Sequence, residues 1–367
     1  MNVSAPGKLF LSGEWAVLEV GSPGIVVAVN KRVHVEIKES DQLSITVDDF
    51  NIKDVLAEFD GVDLVWITEL NDKKKEKLTF TKVAIETVLQ YLENYKPFSI
   101  RSWGDESQIS IDGVAKKVGF GSSAAAVVAI IAAILKFNGM NITSRETKDL
   151  IYKLSAIAHY FAQGKVGSAF DVAASTYGGV FVYKRFDPVW LTKEMEDGRT
   201  VKHVAGHEWP GFYVEELKVP KDFILLVGWT KESASTSAMV KQMDLFKNDS
   251  PVEYKKIYDS IGKLVSELEM AWKSDDRKKI IELLRKNEDI LRELGSMSGV
   301  NIETPELRQL AELANKNGAA GKLSGAGGGD CGIAVCFDKE IADKVKKAWQ
   351  SAGLYLLDVT IDYEGVK

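Results

Sequence analysis

Cysteine is nearly missing from this chain: Cys331 and Cys336 are the only two among 367 residues. Five positions apart on an expected strand, they point to opposite faces, so core thiols are expected rather than a disulfide or a metal pair. That usage fits a reducing cytosol. Four histidines and no CxxC pair argue against a zinc site. No apolar run approaches the roughly 20 residues of a membrane span. The opening MNVSAPGKLFLSGEW lacks a basic segment and is broken by Pro6, Gly7 and Lys8, so it does not read as a secretory signal. Neither sign of charge dominates. With 47 Lys and Arg against 53 Asp and Glu the formal net charge is −6, which excludes a general affinity for nucleic acid or anionic membrane. Repeats and low-complexity tracts are absent as well.

What is present suits a globular protein: 45% apolar and 27% charged residues, in a length that fits two lobes better than one core. The chain is organised around KVGFGSSAAAVVAIIAAIL, Lys117 to Leu135. Gly119 and Gly121 flank Phe120, and Ser122 and Ser123 follow. From Ala124 to Lys136 every residue but the last is apolar. This predicts a glycine and serine loop feeding a buried helix, with Ser122 or Ser123 as N-cap. Such a helix end is a ready phosphate site, although a plain capped core helix reads the same way.

Before it, strands are expected at Ile25–Val29, Val33–Ile37, Leu43–Val47, Leu64–Thr68 and Ile100–Ile111, with Lys8 following a tight Pro6-Gly7 turn. A helix is expected over Leu78–Tyr95. After it, Thr143 or Ser144 caps a helix, with Glu146 completing a capping box on Thr143. A loop, a short helix from Val172 and a strand over Gly179–Tyr183 come next. Residues 187–220 read as a peripheral excursion between an N-terminal lobe, 1–186, and a C-terminal lobe, 221–367. The latter should hold a strand at Phe223–Trp229, long helices at Val252–Lys273 and Asp276–Leu294, and a helix from Thr304–Pro305. A second glycine loop, Gly321–Asp330, leads to a strand at Ile333–Phe337, a helix at Lys339–Ala352 and a strand at Leu354–Ile361. Strands and helices mix without strict βαβ alternation, which favours an α+β fold.

Common phosphate-binding signatures fail. No Gly-Lys pair is followed by Ser or Thr, so there is no Walker A loop, and neither HRD nor DFG occurs. Gly119, Gly121 and Ala124 satisfy GxGxxA before a helix, but the region about 20 positions on, NGMNITS, lacks the acid a dinucleotide site needs. Three other motifs occur in order: APGKLFLSGEW, GFGSSAA and KLSGAGGGD. Together they resemble the superfamily of galactokinase, homoserine kinase, mevalonate kinase and phosphomevalonate kinase, over almost the whole chain. KVGFGSS, AQGKVGSAFDVAASTYGG, GWTKESASTS and SGAGGGDC are most similar to the phosphomevalonate kinase family.

The resemblance implies a two-lobed small-molecule kinase fold. Its N-terminal lobe would be like ribosomal protein S5 domain 2, its C-terminal lobe ferredoxin-like, and the active site would lie in the cleft between them. It implies a cytoplasmic enzyme, monomer or homodimer, that uses ATP and Mg²⁺ to phosphorylate 5-phosphomevalonate and has no nucleic-acid or membrane partner. Mevalonate kinase and diphosphomevalonate decarboxylase are the neighbouring activities, and a non-catalytic ligand sensor is the alternative of another class. By motif match, Lys117, Gly119, Gly121, Ser122, Ser123 and Ala124 would hold the nucleotide, with Ser123, or Ser122, offering a hydroxyl to Mg²⁺. Lys8 would meet the transferring phosphoryl group. Asp171 would act as base or orienter, though it could simply cap the helix from Val172. Lys165, Ser168, Ser235, Thr236, Ser237, Gly325, Gly327, Gly328 and Gly329 would form the acceptor side. Asp330 would brace or cap its loop, and His159 would stand where mevalonate kinases carry a magnesium-binding glutamate.

Overall fold

The computed structural model describes residues 1–105, 108–111, 114–232 and 236–367, with side chains outside 106–117, 233–235 and 237. The first half holds strands β1 (Asn2–Ser12), β2 (Pro23–Glu39), β3 (Leu43–Val47), β4 (Ile52–Phe59) and β5 (Leu64–Trp66). Helices α1 (Asp72–Lys77) and α2 (Thr79–Leu92) precede β6 (Phe98–Gly104), β7 (Gln108–Ile111) and β8 (Val114–Lys117). Then come α3 (Ser122–Phe137), α4 (Arg145–Ala162), α5 (Phe170–Tyr177), β9 (Val180–Lys184), α6 (Pro188–Glu196), α7 (Val201–Gly206) and β10 (Tyr213–Leu217). The second half holds β11 (Ile224–Trp229), α8 (Thr236–Asp249), α9 (Pro251–Lys273), α10 (Arg277–Ser298) and α11 (Pro305–Lys316). It ends with β12 (Ala320–Leu323), β13 (Cys331–Cys336), α12 (Lys339–Ser351) and β14 (Tyr355–Leu357).

β2 is the spine of an eight-stranded sheet, ordered β10-β9-β2-β6-β3-β4-β5 with β1 also on β2. Its IVVAV run is apolar without alternation because both faces are covered. Val26 and Ala28 join one core with α3, while Ile25, Val27 and Val29 join another with α9 and α10. The two strands expected at 25–29 and 33–37 are thus one, 17 residues long. α3 is buried on every side from Val127 to Leu135, as its uniformly apolar sequence requires. The second core continues under a four-stranded sheet, β12-β13-β11-β14, so the two sheets share it. Cys331 lies in that core and Cys336 in a third, against α11 and α12. Both thiols are free and buried, on opposite faces of β13 as the spacing predicts.

Several local expectations are corrected. There is no turn at Pro6-Gly7: β1 runs through it, with a register slip between the two residues. Ser144, not Thr143, caps α4, accepting from the Thr147 amide, so the capping box with Glu146 is not made. β4 and α8 were not anticipated. Residues 187–220 are not merely peripheral in their packing, since β10 pairs with β9 and Leu191, Val201, Val204 and Trp209 enter the first core. The final strand stops at Leu357, and the chain beyond it returns to the large sheet. There Asp362 pairs with the buried Arg32 guanidinium, and Ser4 and Lys367 exchange backbone hydrogen bonds of 2.9 and 3.0 Å. Gly365 is obligatory in this seam, since a Cβ there would stand 2.4 Å from the Thr176 carbonyl oxygen.

Candidate active site

A cleft of about 460 Å³ opens where the two sheets meet. Five segments line it: β1 with the loop after it, the start of α3, the end of α4, the loop into α5, and the glycine loop after β12, with the start of α8 closing one side. The expected residues Lys8, Gly119, Gly121, Ser122, Ser123, Ser168, Asp171, Thr236, Gly325, Gly327 and Gly329 all face it. Segments more than 300 positions apart therefore converge, as the motif order required.

The register slip in β1 matters here. A bulge re-aims the following side chain, and Lys8 turns its ammonium to the Gly119 carbonyl oxygen at 2.9 Å while its amide donates to Phe120 at 2.9 Å. Gly7 permits this close approach, for a Cβ would lie 2.7 Å from the Phe120 carbonyl oxygen. Gly121, with φ of 77°, takes the N-cap position of α3. Neither Ser122 nor Ser123 caps the helix, which corrects the sequence expectation. The consequence favours a ligand. The first-turn amides of α3 receive no side-chain cap, and the positive end of the helix opens on the cleft. Ser123 Oγ lies 3.3 Å from Nε2 of buried His159, whose ring packs on Phe80.

Lys8 and Asp171 flank the same glycine. A Cβ on Gly121 would lie 3.2 Å from Lys8 and 3.6 Å from the Asp171 Cβ. Asp171 is the second residue of α5, whose N-cap position is held by Ala169 in a left-handed conformation, so Asp171 is not the cap. Asp330 does brace the central loop: its carboxylate accepts the Gly119 amide at 2.9 Å. Burial pushes the Asp330 carboxyl up from its ordinary value, opposed by that amide and by the Lys8 charge.

Other expected residues are placed differently. Lys165 does not line the cleft; its ammonium is 2.8 Å from Glu196 on α6. Gly328 spends its amide on the Ile302 carbonyl oxygen at 2.8 Å. Gly327 is dictated by that same carbonyl, 2.0 Å from where its Cβ would be, whereas Gly325 faces open space. Ala124 is buried within α3. The Lys117 and Ser237 side chains and all of Ser235 lie outside the described residues.

Sequence reasoning passed over Glu14, Trp15, Gln163 and Ser324, which also line the cleft. All four sit inside the matched segments, and that was the available signal. It also passed over the HxxxH spacing of His203 and His207. Their rings lie 4.1 Å apart, but among the described residues no three His, Cys, Asp or Glu groups gather to hold a metal. Beside the α3 N-terminus the cleft is lined by hard oxygen donors, the Ser122 and Ser123 hydroxyls and the Asp171 carboxylate. That suits Mg²⁺, which keeps most of its ligands as water and phosphate.

Family models agree with this architecture. Residues 79–179 match the GHMP kinases N terminal domain and residues 273–354 the GHMP kinases C terminal domain. Phosphomevalonate kinase of Streptomyces sp. strain CL190 is 32% identical over 99% of this chain and 97% of its own. The chain belongs to the GHMP kinases. Within these kinases, phosphomevalonate kinase of Saccharolobus solfataricus is 30% identical over 100% of this chain and 98% of its own. The Streptococcus pneumoniae phosphomevalonate kinase solved with phosphomevalonate and AMPPNP superposes with a TM-score of 0.82 at 29% identity, covering 98% of this chain and 99% of that one. The Lin0012 protein of Listeria innocua gives 0.88 at 30%, covering 100% and 98%. The two-lobed α+β kinase fold expected from the motifs is the fold observed. No helix among the described residues is long and apolar enough to cross a membrane.

Proposed function

We propose that this kinase transfers the γ-phosphoryl group of ATP to (R)-5-phosphomevalonate, giving ADP and (R)-5-diphosphomevalonate, in the mevalonate route to isoprenoids. The reading is carried by the full-length match to phosphomevalonate kinases together with a cleft that gathers Lys8, Asp171 and an uncapped α3 N-terminus around Gly121. Two buried free thiols support a cytoplasmic location.

Phosphoryl transfer asks the protein for position and charge rather than covalent chemistry. The α3 amides and the bare backbone at Gly119 and Gly121 cradle the nucleotide phosphates. Lys8 carries its ammonium to the transferring group, where a fixed cation stabilises the anionic transition state. Ser123 and Asp171 would hold Mg²⁺, which would supply charge neutralisation beside the nucleotide phosphates. The attacking atom is a phosphate oxygen with a second pKa near 6, so it is largely free of its proton at neutral pH. Asp171 therefore orients Lys8 and the metal more than it removes a proton. Ser168, Thr236 and the glycines of the 325–329 loop form the acceptor side. Lys165 reaches the acceptor phosphate only by leaving Glu196.

Purified protein with MgATP should turn over 5-phosphomevalonate and leave mevalonate and 5-diphosphomevalonate untouched, followed by coupled ADP release. Turnover of mevalonate alone would overturn the assignment. Ser123→Ala should raise the Mg²⁺ concentration for half-maximal rate several-fold and lower kcat by about tenfold, the scale of one lost charge-directed ligand. The melting temperature should stay within a few degrees of the parent, because Ser123 is not the α3 cap. A Mg²⁺ titration of initial rates reads both.

A further inference from the structure

Among the described residues, a group of buried charges that the transfer chemistry leaves unused lies behind the cleft wall formed by residues 13–18. Lys322 on β12 is fully buried, its ammonium bonded to the Glu14 carboxylate and, at 2.5 Å, to the Leu323 carbonyl oxygen. Glu288 on α10, also buried, accepts the Leu323 amide at 3.0 Å. One lysine thus stands among two carboxylates, and each carboxylate keeps a buried oxygen without a partner, Glu14 Oε2 and Glu288 Oε1.

The segment that Glu14 belongs to does not hold itself in place by local preference. Gly13 and Trp15 both have positive φ, 99° and 67°. On the other side, Ser324 accepts the Phe10 amide at 2.9 Å and donates to the Phe10 carbonyl oxygen at 3.0 Å. Residues 322–324 therefore splice β12 and its glycine loop to β1 and the wall after it. A buried ionic trio is a poor source of stability, since an apolar trio of equal volume does as well or better. Its use is better sought in where it puts things.

We propose that Lys322 and Glu288 are positioning residues for the transfer: through Glu14 they set the spacing between the 13–18 wall and the Ser324–Asp330 loop, and with it the width of the cleft that receives the acceptor. This rests on the reading of the cleft as the 5-phosphomevalonate site. The nucleotide loop meets the glycine loop at its far end, where Asp330 is fixed separately by Glu232 and Thr230.

Charge makes the role testable. Burial pushes the Glu288 carboxyl up to about 8, against the pull of Lys322 and the Leu323 amide. Glu303, which precedes α11, and Glu14 push it the same way. Arg292, on the same helix, is engaged by Glu303 at 2.7 Å. Below about pH 8 Glu288 keeps its proton and adds no charge beside the Lys322–Glu14 contact. Because folding raises this carboxyl, the stability tied to its proton is complete in acid and is lost once the pH has risen past about 8. Above that the wall and the loop are joined through a cluster with surplus negative charge.

The test uses full-length protein and Glu288→Gln, which keeps an oxygen for the Leu323 amide and carries no charge. Initial rates are measured with MgATP and 5-phosphomevalonate at about pH 7 and about pH 9, a range in which the acceptor's own phosphate no longer titrates. The parent should show an acceptor KM about tenfold higher at the upper pH, with kcat and the ATP KM little changed, as for loss of uniform binding. E288Q should hold its acceptor KM flat. An E288Q profile that follows the parent, or an ATP KM that moves as far as the acceptor KM, overturns the proposal. Amide hydrogen exchange over 13–18 and 324–330 gives a readout without turnover. Corrected for intrinsic rates, it should quicken about tenfold at the upper pH in the parent and not in E288Q, which corresponds to local opening easier by one decade. If the parent does not act on 5-phosphomevalonate, the functional reading falls and the exchange result decides the positioning role by itself. Equal exchange in both proteins overturns it.

Discussion

Lys8→Met should lower kcat by about a thousandfold while changing the ATP KM far less, the scale of one preorganised charge removed from a transition state. The expectation follows from where the ammonium is held. Its Gly119 partner is a carbonyl oxygen, not a carboxylate, so its full charge stays available to the cleft. Asp171 stands on the other side of Gly121. Asp171→Asn should be milder, about ten- to a hundredfold, because the acceptor oxygen arrives without its proton and only orientation is lost. Steady-state kinetics with saturating MgATP separate the two. A parental kcat in Asp171→Asn would remove that residue from the mechanism, and a parental kcat in Lys8→Met would sink the assignment of the cleft.

The second large effect is steric. Gly119→Ala should reduce kcat/KM for MgATP by about a hundredfold or more. Its new Cβ would fall 1.5 Å from the Asp330 Oδ2, so one of them must move. Asp330 has little freedom to do so. Its own amide donates to Glu232 at 2.8 Å, and its carbonyl oxygen accepts from Thr230 at 3.0 Å. Swinging the carboxylate aside leaves a buried charge without the Gly119 amide, at a cost of about 3 kcal/mol for a broken buried partner. Asp330→Ala removes the obstacle, so the pair Gly119→Ala with Asp330→Ala should recover most of the loss, with a coupling of about 2 kcal/mol between neighbouring sites. Additive losses in the double variant would show that the clash is not the cause.

Much of this site could be read from residue order. The glycines of GFGSS and SGAGGGD, the lysine of APGK and the aspartate of GSAFDV announced a phosphate cleft, because backbone that must pass close to another group leaves no choice of side chain. The long helices and the buried spine strand were legible for the same kind of reason: an apolar run without alternation has to be covered on both faces. What could not be read was decided across the chain. Gly121 rather than a serine ends the central loop because Lys8 and Asp171 crowd it from two other segments. The Pro6-Gly7 register slip is a property of β1 and β2 together. Lys165 finds Glu196 through a loop that has Lys165 itself at φ of 64°, a choice no local preference foretells. The trio of Glu14, Lys322 and Glu288 joins residues with no periodic signal at all. β4 and α8 were missed because their sequences are half-polar, although Asp60-Gly61 after β4 and the Ser and Thr residues at the start of α8 were available signals.

The return of the last described residues to the large sheet has a bearing on how the molecule is made. Arg32 and Asp362 are separated by 330 positions. At ribosomal speeds of roughly 5–20 residues per second, the guanidinium waits on the order of a quarter-minute to a minute for its carboxylate. Through that interval the groove between the first strand and α5 stays unzipped on the nascent chain, although every other strand of its sheet has already been translated. The first strand of the sheet is thus sealed by residues made some 330 positions after its partner Arg32.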